Sequence, residues 1–205
     1  MNQSPALPGP VVDTDWLAAH LDEVQVLDVR MEPRSYAGPL CPEDEPLFAP
    51  EPLRGLTGHV PGAVAVPWKR LSEKRVEYGV EVAGMRPQPE SFQALMQECG
   101  VDADRPVVIA GRCANIKELA ACTRLFWLLR YFGHDAVALL DGGVAQWAKA
   151  GLPLEHEVVQ PARGNFEVKT TRTELVADLD QVRQVVTGGG TGSCSMLARW
   201  MSILV

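Results

Sequence analysis

Apolar residues along this 205-residue chain change their spacing several times, and each change marks a boundary between elements. Thr14 followed by Trp16, Leu17, Leu21 and Val24 reads as a capped helix start, and Val24 to Val29 as a short buried strand. Ala63 to Val66, Pro106 to Ala110 and Ala136 to Leu140 are three further short apolar runs of strand length. Between them lie helical patterns. Pro87 and Pro89 open one that runs through Phe92, Leu95 and Met96 to Gly100. Asn115 and Glu118 form an N-x-x-E capping pattern ahead of a long apolar helix, Leu119 to Phe132, stopped by Gly133. Gly142-Gly143 leads into a short helix carrying Trp147 and closed by Gly151-Leu152-Pro153. From Glu32 to Leu56 the chain is rich in Pro, Glu and Gly, which predicts an irregular surface excursion. No element is expected between Val66 and Pro87.

Short apolar strands alternating with helices require crossover connections and therefore a mostly parallel sheet covered on both faces. The predicted architecture is a doubly wound α/β domain over residues 11–157. A weak internal echo follows. Leu17-Ala18-Ala19-His20-Leu21-Asp22-Glu23-Val24 returns as Leu175-Val176-Ala177-Asp178-Leu179-Asp180-Gln181-Val182, so residues 158–187 read as a linker and the first helix of a second, incomplete unit of the same kind. A lone repeated helix has nothing to bury its apolar face against, and the ordered core is expected to end near His156, with residues 188–205 a disordered tail.

Composition narrows the class of function. With 46% hydrophobic residues the chain supports one well-buried core. A formal charge of −7 without any basic run argues against nucleic acid or an anionic membrane as partner. The first ten residues have neither the positive nor the apolar region of a secretory signal, and no apolar run is long enough to span a bilayer, so a cytoplasmic protein is expected. Five cysteines, Cys41, Cys99, Cys113, Cys122 and Cys194, are irregularly spaced and form no CxxC pair. Reduced thiols, no structural metal and no cofactor follow as expectations.

Leu27-Asp28-Val29-Arg30, Gly58-His59-Val60-Pro61-Gly62-Ala63 and Leu140-Asp141-Gly142-Gly143 with Trp147, in this order and at these distances, resemble the rhodanese (sulfurtransferase) family. The resemblance covers about residues 11–157, and the echo resembles the start of the second domain in tandem thiosulfate sulfurtransferases. It implies a rhodanese-like doubly wound fold and transfer of sulfane sulfur through a cysteine persulfide, from a small anionic donor such as thiosulfate to a thiol or cyanide acceptor. It also implies a face normally covered by a second domain, hence self-association where that domain is absent. His59, Gly142, Gly143 and Trp147 identify the fold rather than the chemistry: glycines allow close backbone approach, and histidine and tryptophan fill and bond the interior.

The family nucleophile stands in a loop between a strand end and a helix N-terminus, where backbone N–H groups and the helix dipole favour a thiolate. On the resemblance that position falls on Gly111, directly after the strand Val107-Val108-Ile109-Ala110, and glycine cannot carry sulfur. Tandem relatives commonly lack the cysteine in their first domain. A cysteine introduced at Gly111 is expected to inherit the loop's anion cradle. Cys113, two residues on and just ahead of the Asn115 cap, is the alternative nucleophile, with Arg112 and Lys117 as neighbouring positive charges. The competing reading of Cys113 is a small apolar loop residue. Arg34 stands where relatives carry an arginine that contacts the anionic substrate, and its fork of donors suits an oxyanion. Cys41, Cys99, Cys122 and Cys194 read as structural or incidental.

Four functions are weighed. Gly111 favours a non-catalytic rhodanese-like binding module over a self-sufficient thiosulfate sulfurtransferase. A related cysteine phosphatase needs Cys-x5-Arg, and the sixth residue after Cys113 is Leu119. A dinucleotide oxidoreductase lacks the G-x-G-x-x-G spacing.

Overall fold

A computed structural model describes residues 5–31, 33–38 and 55–187. Five parallel strands form the central sheet in the order β1-β7-β6-β2-β3: β1 Val11–Val12, β2 Gln25–Asp28, β3 Val64–Ala65, β6 Val107–Ile109 and β7 Val137–Leu140. The helices are α1 Thr14–Ala19, α2 Arg34–Ala37, α3 Pro89–Glu98, α4 Ile116–Tyr131, α5 Gly143–Lys149 and α6 Leu179–Val186. A separate antiparallel hairpin joins β4 Glu73–Glu77 to β5 Val80–Met85.

Both faces of the sheet are buried, which is why β1, β3, β6 and β7 read as apolar throughout rather than as alternation, while β2 carries Gln25 and Asp28 at its ends. Leu27, Val29, Val107, Ile109, Val137 and Leu139 point to one face, where Phe92, Leu95 and Met96 of α3 and Leu125, Leu128 and Leu129 of α4 cover them. Val26, Val108, Ala110, Ala138 and Leu140 point to the other, beneath Leu17 of α1 and Val144 and Trp147 of α5. The doubly wound, mostly parallel architecture with helices on both faces is therefore as predicted. The strand order reverses between β2 and β6, so the loops leaving their carboxyl ends diverge and open a crevice there.

Three features differ from the sequence reading. The cap of α1 is Asp13, whose carboxylate accepts from the Trp16 N–H, and Thr14 is already helical. The β4–β5 hairpin was not predicted: its turn at Tyr78 and Gly79 puts both residues at positive φ, the geometry of a tight hairpin turn, but tyrosine there carries no turn signal. Arg124 of α4 anchors the hairpin base by donating to the carbonyls of Leu71, Gly84 and Met85.

The third difference concerns the end of the core. Residues beyond His156 do not leave the domain but run back across α3 and α4. Gly164 and Phe166 donate backbone N–H groups to Gln97 and Val101, and Phe166, 1% exposed, packs edge-on against Phe92. Arg172 forks onto Asp135 and donates its backbone N–H to Tyr131. The core thus continues past His156 because Phe166 completes an aromatic cluster that α3 and α4 leave open. In the echo region, Thr173–Leu175 is a 3-10 turn and α6 begins only at Leu179, with Asp178 and Gln181 forming a capping box. Asp13 and Asp178 cap their helices alike, which sets the echo seven residues away from the apolar match read in the sequence. The expectations for residues 188–205, and for Cys41 and Cys194, lie outside the described residues.

Candidate functional site

Two loops meet at the switch point. The first follows β2. Asp28 ends the strand fully buried, and Arg30 turns back to grip it through Nε and Nη2. The same guanidinium donates to Ser35 Oγ at 2.9 Å and the Gly58 carbonyl at 3.2 Å, and lies over the Tyr36 ring. Burial pushes the Asp28 carboxyl up while Arg30 opposes it; burial also works against the Arg30 charge, and Asp28 outweighs that. Arg30 is thus an internal brace. Tyr36 donates to the Ala63 carbonyl and stacks on His59, whose ring nitrogens both lie 2.9 Å from carbonyl oxygens, those of Val60 and Glu157. Together these residues tie the β2 loop to the Gly58–Ala63 segment.

The second loop follows β6. Ala110 still bonds to the Leu27 carbonyl, and Gly111 accepts from the Val144 N–H at the start of α5. At Gly111 there is no room for a side chain: a β-carbon would stand 2.5 Å from both the Val29 carbonyl oxygen and the Cys122 Sγ. The expectation that a cysteine at Gly111 would inherit the loop's cradle is corrected here, because the space is filled by the Val29 backbone just after β2 and by the Cys122 thiol of α4.

Cys113 has φ 55, a left-handed conformation that costs energy for a residue with a β-carbon, and is only partly buried. Its Sγ lies 3.9 Å from the Cys122 Sγ, which also faces the Val29 carbonyl at 3.5 Å. The Cys122 thiol beside it holds Cys113 below its ordinary pKa, while burial and the nearby Glu118 and Asp28 carboxyls work the other way. Cys122 is pushed well above its ordinary value by the same partner and by burial.

Glu118 was expected to complete a capping box on Asn115. Asn115 does cap α4, accepting from the Lys117 and Glu118 N–H groups, but the Glu118 carboxylate, 1% exposed, reaches one residue further back to the Ala114 N–H at 2.8 Å. A backbone donor of the loop, together with the first free donors of the helix, is therefore occupied from within the chain.

The other predicted residues differ in exposure. Arg112 is completely buried. Lys117 is exposed on the first turn of α4 and takes part through its backbone N–H. Arg34 opens α2 at the surface, and the buried cation of that loop is Arg30. Sequence reasoning missed Cys122 and Glu118 as site residues. Their signal was present in the helical period, which places positions 118 and 122 one above the other on the face of α4 that meets the sheet. Among the described residues no cluster of His, Cys, Asp or Glu is suited to a metal ion, and no helix is long and apolar enough to cross a membrane.

The chain matches the family of rhodanese-like domains over residues 13–150. It is 34% identical over 157 residues to the 3-mercaptopyruvate sulfurtransferase of Escherichia coli, covering 76% of this chain and 50% of that protein. It is 31% identical over 179 residues to a sulfur carrier protein of Thermus thermophilus, covering 86% of this chain and 53% of the relative. The crystal structure of an Escherichia coli 3-mercaptopyruvate sulfurtransferase superposes with a TM-score of 0.65 at 31% identity, covering 87% of this chain and 62% of that one. The chain spans about half the length of the curated relatives it matches. The matched family, the shared sheet and the braced loops at its switch point agree: this chain belongs to the rhodanese-like, sulfurtransferase family.

Proposed function

We propose that this chain serves as the non-catalytic rhodanese-like half of a sulfurtransferase that moves sulfane sulfur from a small anionic donor, thiosulfate or 3-mercaptopyruvate, to a thiol or cyanide acceptor. The observation that carries this reading is the filled position at Gly111, where the Val29 carbonyl and Cys122 leave no room for a nucleophile. The Glu118 carboxylate adds to it, since a buried negative charge against the loop N–H groups opposes an incoming anion. In this reading residues 11–157 form the first unit, and residues 158–187 carry the connection to a second and its opening helix, capped at Asp178 as α1 is at Asp13. Persulfide chemistry would belong to a cysteine of that second unit.

The test is sulfur transfer by the 205-residue chain alone, with thiosulfate and cyanide and with 3-mercaptopyruvate and a thiol. Turnover at the uncatalysed background is expected. Robust transfer accompanied by a persulfide on Cys113 would overturn the reading.

A second reading, favoured by the lowered Cys113 thiol in a left-handed loop, makes Cys113 a displaced nucleophile. Its thiolate would attack the outer sulfur of thiosulfate, form a persulfide and expel sulfite. Under it, Cys113→Ser abolishes transfer while the fold is kept.

A further inference from the structure

We propose that Cys113 and Cys122 form a thiol–disulfide exchange pair, in which Cys113 reacts with a low-molecular-weight disulfide and Cys122 resolves the adduct into an internal disulfide. The inference is independent of whether the chain transfers sulfur.

Three observations carry it. The two Sγ atoms already stand 3.9 Å apart, so reaching a disulfide bond of about 2.05 Å needs an approach of roughly 2 Å. The pair is divided in access: Cys113 is partly exposed at the crevice, whereas Cys122 is buried in the core, beside Cys113, Gly111 and the Val29 carbonyl. The two members also sit on unlike supports. Cys113 belongs to a loop in a left-handed conformation, while Cys122 is fixed in the second turn of α4. The approach can therefore come from the loop with the helix unmoved. The lowered thiol is the exposed one, as an attacking cysteine requires, while the raised, enclosed thiol is kept from reacting first with a disulfide from solution.

The chemistry balances. The Cys113 thiolate attacks one sulfur of a disulfide RSSR, forming a Cys113–SR bond and releasing RS⁻. Cys122 then gives up its proton to the first released RS⁻ and attacks the Cys113 sulfur as the thiolate, forming Cys113–Cys122 and releasing the second RS⁻. Two protein thiols are oxidised and one external disulfide is reduced to two thiols. Cys99 cannot substitute for either, since burial pushes its thiol up to about 12 and it lies apart in the α3 end of the core.

The experiment is peptide mapping of the full chain after incubation with oxidised glutathione at neutral pH. Trypsin cuts after Arg112, Lys117 and Arg124, so the two cysteines fall on separate peptides, 113–117 and 118–124. The expected product is these two peptides joined, two hydrogens lighter than their sum, and separated again by a reductant. In Cys122→Ser a stable glutathione adduct should accumulate on Cys113; in Cys113→Ser, Cys122 should remain unmodified. Persistence of the glutathione adduct on Cys113 in the unsubstituted chain, or glutathionylation of Cys122 when Cys113 is absent, would overturn the proposal. The mapping of the unsubstituted chain stands on its own should a variant fail to fold.

Discussion

At position 111 the difference between glycine and any other residue is one β-carbon, and here that atom has nowhere to go. Gly111→Cys should lower stability by about 1–3 kcal/mol through overpacking against the Val29 carbonyl and Cys122, without creating sulfur transfer. Chemical denaturation and the thiosulfate–cyanide assay check both parts; a stable, active variant would show that the loop can move aside. Glu118 presents the converse case, a charge where the fold would tolerate a neutral acceptor. Its carboxylate raises the Cys113 thiol, so Glu118→Gln, which keeps an oxygen for the Ala114 N–H, should shift the pH profile of Cys113 alkylation to lower pH. An unchanged profile would mean that the carboxylate does not act on that thiol.

Among the elements, the segment from 157 to 176 behaves as part of the domain although no helix or strand longer than a turn lies in it. Its hold is a buried aromatic ring, several backbone hydrogen bonds and the Arg172–Asp135 fork. Phe166→Ala should therefore cost about 3–5 kcal/mol, as truncation of a fully buried ring does. For a chain of this size each kcal/mol corresponds to about 2–4 °C in Tm, which thermal unfolding can read. Limited proteolysis should yield a resistant species that retains Phe166; one that ends near His156 would contradict the packing described. By contrast, α6 exposes Leu179 and Val182 by about half and Val186 further, with no residue buried, so its stability rests on its own capping box. A helix that short is marginal on local interactions alone.

For the whole molecule, two groups beside one another at the foot of α4 set the response to acid. His134 is buried with no hydrogen-bond partner on Nε2 among the described residues, and burial, with Lys169 nearby, pushes it below its ordinary value; the Ala136 backbone and Asp135 only partly oppose this. The unfolded chain takes up a proton at about pH 6.5 while the folded chain resists it. Stability is therefore complete above that pH and falls as the pH drops towards the folded value. Asp135, held below the usual carboxylate range by Arg172, contributes in the same direction at lower pH, since its stabilising charge is lost on protonation. The expected outcome is a denaturation midpoint that begins to decline near pH 6.5 and declines further below about pH 4, with the first part of the decline removed in His134→Gln. A flat profile across that interval would place His134 in contact with water.

The alternation of short apolar runs with capped helices was enough to determine the doubly wound sheet, because a strand buried on both faces and a helix with an apolar stripe each leave a local pattern. Asn115 as a cap and Gly111 as a residue without a nucleophile were likewise legible, since both depend on residue type at a strand–loop–helix boundary. What the sequence could not reveal are the relations that close through space. Phe166 belongs to the core only because α3 and α4 leave a ring-sized gap; Glu118 turns to Ala114 rather than Asn115 because the loop brings that N–H nearer. The crowding at Gly111 and the meeting of Cys113 with Cys122 depend on how far α4 stands from the end of β2, a distance fixed by packing of side chains from several elements and recorded in no single stretch of chain.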